Sequence, residues 1–236
     1  TPQAASTSSE IPGEVVAISG IRRSIAQHMV ESKLQTAPHV TTVMEADMSA
    51  IVAHRATNKE QFAQRGVRLT FTPYFVAACA QALLDVPELN VQWTDKGLYQ
   101  YHVANVGIAT ALDEGLIVPV IKNAQDFKLI GLARQVNDLA ERARARQLAS
   151  DEVRGGTFTI SNHGTSGSLL ATPIINQPQS AILGVGAIEK RVKVVDDAIA
   201  IRPCCYLSLT FDHRVADGER ADAFLMRVKS LLENWR

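Results

Sequence analysis

Only three of the 236 residues are cysteine, Cys79 and the adjacent pair Cys204 and Cys205, and none is in a C-x-x-C spacing. An odd count without that spacing excludes a disulfide framework and a thiolate zinc or redox motif, and it fits a reducing compartment. Neighbouring cysteines bridge only with strained geometry, so Cys204 and Cys205 read as buried strand residues. Long apolar runs are also missing. The longest, over 74–80 and 115–121, fall far short of the ~18 residues of a membrane span. Neither sign of charge is in excess, with 24 Lys plus Arg against 24 Asp plus Glu, which argues against a general nucleic-acid binder. The chain opens at Thr1 with no methionine and no charged-then-apolar leader, the expectation for a fragment or processed product rather than a secreted precursor. His28, His39, His54, His102 and His163 show no metal-ligand spacing, and no metal is expected.

What is present is the composition of a globular protein, 46% hydrophobic and 20% charged. Residues 1–12 are Ser, Thr, Ala and Pro with hardly an apolar anchor, which predicts a flexible linker ahead of one domain over 13–236. Apolar spacing predicts a helix over 20–34, stopped by Pro38, then a Val/Thr-rich strand over 39–48. Ser49 is read as the cap of a polar helix to Gln64, and Thr72-Pro73 as the start of a buried helix ended by Pro87. Turn signals at 94–97 and 113–115 predict two hairpins, the second between runs 103–112 and 116–121. Asp95-Lys96-Gly97 is read as a plain hairpin turn. An amphipathic helix is expected to about Leu148, strands over 157–161, 180–185, 191–195, 198–201 and 205–211, and a last helix over 217–233. Irregular alternation with hairpins predicts a mixed α/β sheet covered by helices.

Two segments carry candidate chemistry. In Thr210-Phe211-Asp212-His213-Arg214-Val215-Ala216-Asp217-Gly218, charged groups crowd the end of an apolar strand, where they must pair, face solvent or line a cleft. On local spacing alone the run fits better a structural Asp-Arg pair with His213 as a turn residue. In Gly156-Thr157-Phe158-Thr159-Ile160-Ser161-Asn162-His163-Gly164 a strand enters a turn that offers hydroxyl and amide groups. It is no dinucleotide fingerprint, and Gly164-Thr165-Ser166-Gly167 lacks the spacing of a hydrolase elbow. Taken alone, this segment fits a glycine-rich turn closed by local hydrogen bonds.

Together, and joined by Ser19-Gly20-Ile21-Arg22-Arg23-Ser24-Ile25-Ala26, Ala37-Pro38-His39-Val40-Thr41, Gly115-Leu116-Ile117-Val118-Pro119-Val120-Ile121 and Pro173-Ile174-Ile175-Asn176-Gln177-Pro178-Gln179, they resemble the catalytic domain of the dihydrolipoyl acyltransferases of 2-oxo acid dehydrogenase complexes. The resemblance runs from about Val16 to the end. It implies a chloramphenicol acetyltransferase-like α/β sandwich whose active site lies between subunits of a trimer. It also implies roles for single residues: His213 as general base, Asp217 as the acid of D-H-R-x-x-D-G, and Ser161 as stabiliser of a tetrahedral intermediate. Arg55 is implied as a contact to coenzyme A phosphate, and Asn162 as lining the site. A thiol of pKa ~8.5 is mostly protonated at neutral pH, and an imidazole with a reference pKa of ~6.5 is suited to take its proton during attack on a thioester.

The reaction implied is acyl transfer between the dihydrolipoyl thiol of a separate lipoyl domain and coenzyme A, as substrate, with no metal. Implied partners are the lipoyl domain, the 2-oxo acid dehydrogenase and dihydrolipoyl dehydrogenase subunits, and two further copies of the chain. The chain ends at Arg236 without the apolar extension that joins trimers in relatives, so assembly beyond the trimer stays open. The implied compartment is the cytoplasm of a bacterium or the mitochondrial matrix of a eukaryote. Two alternatives remain: a non-catalytic structural core, and a stand-alone small-molecule acetyltransferase of the same fold. Acetyl, succinyl and branched-chain transferases share these motifs, so the acyl group is left open.

Overall fold

In the computed structural model, residues 14–112 and 115–236 are described. The expected linker over 1–12 and the tip of the second hairpin lie outside them. The elements are α1 (Gly20–Val30), β1 (His39–Asp47), α2 (Ser49–Gln64), α3 (Thr72–Asp85), β2 (Val91–Thr94), β3 (Gly97–Gln100), β4 (Val106–Ile108), β5 (Thr110–Leu112), β6 (Gly115–Ile117), β7 (Val120–Ile121), α4 (Leu129–Arg144), β8 (Phe158–Asn162), β9 (Ala181–Val185), β10 (Glu189–Val195), β11 (Ala198–Asp212) and α5 (Gly218–Glu233). The main sheet is ordered β1-β11-β9-β8-β4-β7, and β10 pairs with β11. The β8 pairings with β4 and β9 are parallel and the others antiparallel, which confirms the mixed sheet expected from the alternation.

Successive strand side chains point to opposite faces, and here the two faces differ in chemistry. Phe158, Ile160, Leu183, Leu207, Leu209 and Phe211 are buried and form one face. It is covered by α3 and α5, with the Phe158 and Phe224 rings 5.4 Å apart. The other face, carrying Thr159, Ser161, Gly184, Ser208 and Thr210, is small and polar. Thr41 and Thr210 share a 2.8 Å hydroxyl contact there. A face of short polar side chains packs poorly against a helix and leaves room for irregular chain and cavities.

Several boundaries differ from the sequence reading for identifiable reasons. β11 is one continuous strand through Pro203, where two strands over 198–201 and 205–211 are expected from the sequence. Proline lacks a donor, but its carbonyl still works: Pro203 accepts from the Met48 backbone at 2.7 Å. The run 103–121 is four short strands interrupted at Ala109 and at Val118-Pro119. The first helix ends at Val30 and continues as a wider π-helical turn over Glu31–Thr36. α4 stops at Arg144, and Arg146 adopts a left-handed conformation, φ 57. Ser49 is the first helical residue rather than the cap, its backbone and hydroxyl both donating to Asp47. Thr72 likewise begins α3 without a capping bond.

All three cysteines are buried and free. Burial pushes the Cys205 thiol up to about 12, and Cys79 is raised by the same cause, so neither is a thiolate near neutrality. Among the described residues no helix is long and apolar enough to cross a membrane.

Candidate active site

β11 stays buried as far as Asp212, and the chain then turns into α5. Asp212 is 3% exposed, too buried to stand unpaired. Its carboxylate accepts from the Arg214 backbone at 3.0 Å, from Arg214 Nε at 3.0 and 3.1 Å and from Nη2 at 2.7 Å. The guanidinium lies over the Trp93 ring of β2, 4.7 Å from its centroid. Between the paired residues the His213 backbone donates to Pro38 at 3.0 Å. Its imidazole is exposed, with the Phe211 ring 5.6 Å away. The charged run is therefore a clamp that presents a histidine outward.

Asp217 accepts from the Arg220 backbone at 3.0 Å and is the N-cap of α5. Asp217→Ala should lower stability by about 1 kcal/mol in denaturant unfolding, while Asp217→Asn, which caps equally well, should leave it unchanged. A loss in the asparagine variant as large as in the alanine variant would mean that the carboxylate charge, rather than the cap, matters.

Ser161 stands on the polar face in one row with Gly184 and Ser208. It borders a cavity of about 350 Å³ beneath α1, lined by aliphatic residues that include Met29, Val118, Ile174 and Ile182. The chain after Ser161 closes this face: Ser208 Oγ donates to the Ala171 carbonyl at 2.6 Å and Ala187 N–H to Ser168 at 2.9 Å. Glycine permits the approach, since a Cβ on Gly186 would lie 2.0 Å from the Leu169 oxygen. Gly186→Ala should cost about 1–3 kcal/mol by overpacking, read from the unfolding midpoint, and an unchanged midpoint would contradict the packing. His39 pins the same segment. Its Nδ1 lies 2.8 Å from the Ala37 carbonyl and Nε2 accepts the Ile175 N–H at 3.1 Å, which assigns the proton to Nδ1.

One chain does not bring Ser161 and His213 together. His213 lies five residues beyond Ser208 along β11, and Ser208 is two strands from Ser161. At the usual rise and strand spacing their Cα atoms are about 19 Å apart, beyond the reach of both side chains. Arg55 is elsewhere again. Its Nε donates to the Leu69 carbonyl at 2.8 Å and its guanidinium lies over Phe71, 4.9 Å from the centroid. It borders a shallow cleft with Lys59, Glu60 and Arg68. Asn162 lines a second, polar cavity next to Ser161. His163 and Thr70, which no sequence signal marked, also line that cavity, and the Thr70 hydroxyl and both His163 ring nitrogens are buried with no hydrogen-bond partner among the described residues. Among the described residues no three His, Cys, Asp or Glu side chains could hold a metal ion.

The family model for 2-oxoacid dehydrogenases acyltransferase (catalytic domain) matches residues 11–236. Three curated relatives differ in acyl group yet are similar to nearly the same degree. The succinyltransferase component of the Bartonella vinsonii subsp. berkhoffii 2-oxoglutarate dehydrogenase complex is 41% identical over 95% of this chain and 55% of its own. The acetyltransferase component of the Bacillus subtilis pyruvate dehydrogenase complex is 43% identical over 95% and 51%. The lipoamide acyltransferase component of the Bacillus subtilis branched-chain alpha-keto acid dehydrogenase complex is 42% identical over 99% and 54%. The chain thus spans about half the length of these relatives. The solved structure of Azotobacter vinelandii dihydrolipoamide acetyltransferase, studied for the role of a serine, a histidine and an asparagine in its catalytic mechanism, superposes with TM-score 0.91 at 35% identity, covering 99% of this chain and 96% of that one. The cubic core of a pyruvate dehydrogenase multienzyme complex gives 0.92 at 34% identity, again covering 99% and 96%. A chloramphenicol acetyltransferase gives 0.57 at 12% identity over 87% and 94%, a likeness of fold alone.

Proposed function

The chain belongs to the catalytic-domain family of the 2-oxoacid dehydrogenase acyltransferases, and from that premise we propose that it passes an acyl group between the dihydrolipoyl thiol of a lipoyl domain and coenzyme A. The observation that carries the reading is a pair of intervals. In the Azotobacter enzyme the studied serine precedes the histidine by 52 positions and the asparagine follows it by four. Ser161, His213 and Asp217 stand at the same intervals here. Asp217 replaces an amide with a carboxylate, and its capping geometry suits either.

In the proposed reaction His213 takes the proton of the attacking thiol as sulfur adds to the thioester carbonyl. Ser161 donates a hydrogen bond to the oxygen that becomes negative. Collapse expels the other sulfur as a thiolate, which recovers the proton from the imidazolium. No acyl-enzyme forms. Because the two side chains are about 19 Å apart in one chain, the active unit is a homotrimer in which His213 of one copy faces Ser161 of the next. The aliphatic cavity beneath α1 suits the hydrocarbon arm of the lipoyl group. Arg55, which lines the cleft with Lys59 and Arg68, suits coenzyme A phosphate, and Asn162 lines the cavity next to Ser161. The 2-oxo acid dehydrogenase and dihydrolipoyl dehydrogenase subunits are the proposed partner enzymes. With bacterial relatives, the proposed compartment is the cytoplasm.

The test is acyl transfer from acetyl-, succinyl- and isobutyryl-coenzyme A to free dihydrolipoamide. Transfer from one or more donors is expected, and their ranking identifies the acyl group. No transfer by a folded trimer would contradict the reading and favour a structural core.

A further inference from the structure

The ribbon formed by β2 and β3 pairs with no other strand among the described residues. A two-stranded ribbon is marginal in water, so its fastenings show what it is built to hold. One lies at its base, where the Asn90 amide donates to the Tyr101 carbonyl at 3.2 Å and to that of Val103 at 3.0 Å. Two more lead to the turn that presents His213. The Val91 carbonyl accepts the buried Ser180 hydroxyl at 2.5 Å, and the Ser180 carbonyl accepts the Asp212 N–H at 2.9 Å. Two residues on, the Trp93 ring lies against the Arg214 guanidinium. Trp93 is 45% exposed, so its ring is spent on a surface contact rather than on the core. The turn has use for that contact. Among the described residues every hydrogen bond to the Asp212 carboxylate comes from Arg214, two positions away, so the pair closes on itself without tying the turn to the rest of the chain. Pro38 holds the His213 backbone, whereas the exposed imidazole beyond it has no hydrogen bond among the described residues. The Trp93 face comes from a distant segment, attracts the guanidinium through the ring quadrupole and restricts its rotation.

We infer that Trp93 is a positioning residue for acyl transfer: its ring holds the Arg214 guanidinium on Asp212 and so fixes the direction in which His213 points. The inference rests on the acyltransferase reading for the reaction it serves. In this role Trp93 acts through Arg214 and need touch no reacting atom.

Two variants of the full chain test it. Trp93→Leu keeps apolar bulk without a ring face, and Trp93→Phe restores the face. In transfer from a coenzyme A thioester to dihydrolipoamide, Trp93→Leu is expected to lower kcat about tenfold with little change in KM, the scale of a small misplacement of a catalytic group, while Trp93→Phe stays near the parent. The second readout is NMR of carbon-labelled histidine. The His213 ring signal, identified by its loss in His213→Ala, carries the ring current of Phe211, 5.6 Å away. It should move toward the position of a free histidine in Trp93→Leu and stay in place in Trp93→Phe. Trp93→Thr, a strand former without a ring, takes the place of Trp93→Leu should that variant unfold. An unchanged kcat, a loss confined to KM, or a loss that phenylalanine does not rescue would overturn the positioning role, as would an unmoved ring signal. Absence of transfer by the unsubstituted protein would instead sink the acyltransferase reading, and the ring signal would still decide whether Trp93 orients His213.

Discussion

His213→Ala lowers the rate of acyl transfer by about 10²–10⁴-fold, the scale of a lost general base, while the trimer and its unfolding midpoint are retained. Its side chain is exposed, makes no hydrogen bond within the described residues of its own chain, and contributes no core packing. Truncation therefore removes chemistry and little else. Ser161→Ala follows the same logic, with a loss of about 10²–10³-fold for one oxyanion donor. The expected signature is a fall in kcat with little change in KM, because both groups act mainly on the transition state. Steady-state transfer to dihydrolipoamide checks both, and rates within twofold of the parent would remove these residues from the mechanism.

Arg214→Met should destabilise the fold by about 1–3 kcal/mol, as expected when a buried acceptor loses its charged partner. The variant keeps the hydrophobic stem over Trp93 but leaves the Asp212 carboxylate, 3% exposed, with only the Arg214 backbone N–H from its present set of donors on that residue. The turn that presents His213 is built on this carboxylate, so transfer should fall as well, even at temperatures where the variant stays folded. Chemical denaturation measures the first effect. A change below 1 kcal/mol would show that Asp212 finds water and that the clamp is not what fixes the turn.

Much of the fold was legible because its signals are local. Periodicity placed α2, α3, α4 and α5 within a few residues, and turn chemistry placed the 94–97 hairpin. The misreadings arise where tertiary pairing overrides local preference. Pro203 interrupts a strand by propensity, yet its neighbours β10 and β1 hold the chain extended through it. The resemblance implies Asp217 as the acid of D-H-R-x-x-D-G, and the structure adds what the motif does not display, that it caps α5. The serine and histidine were recognisable as motif residues, but their separation in one chain depends on strand order, which no local pattern encodes. His163 and Thr70 carried no signal, since a missing partner is visible only once every neighbour has a position.

The central claim is that each site takes His213 from one copy and Ser161 from the next. Co-assembling the His213→Ala and Ser161→Ala proteins tests it directly, because neither alone supports transfer. In randomly mixed trimers an interface pairing an intact histidine with an intact serine arises by symmetry in about a quarter of cases, so activity should return to about a quarter of the parent's. Mixed trimers, verified by mass, that remain as inactive as either variant would contradict a shared site and place both groups within one chain.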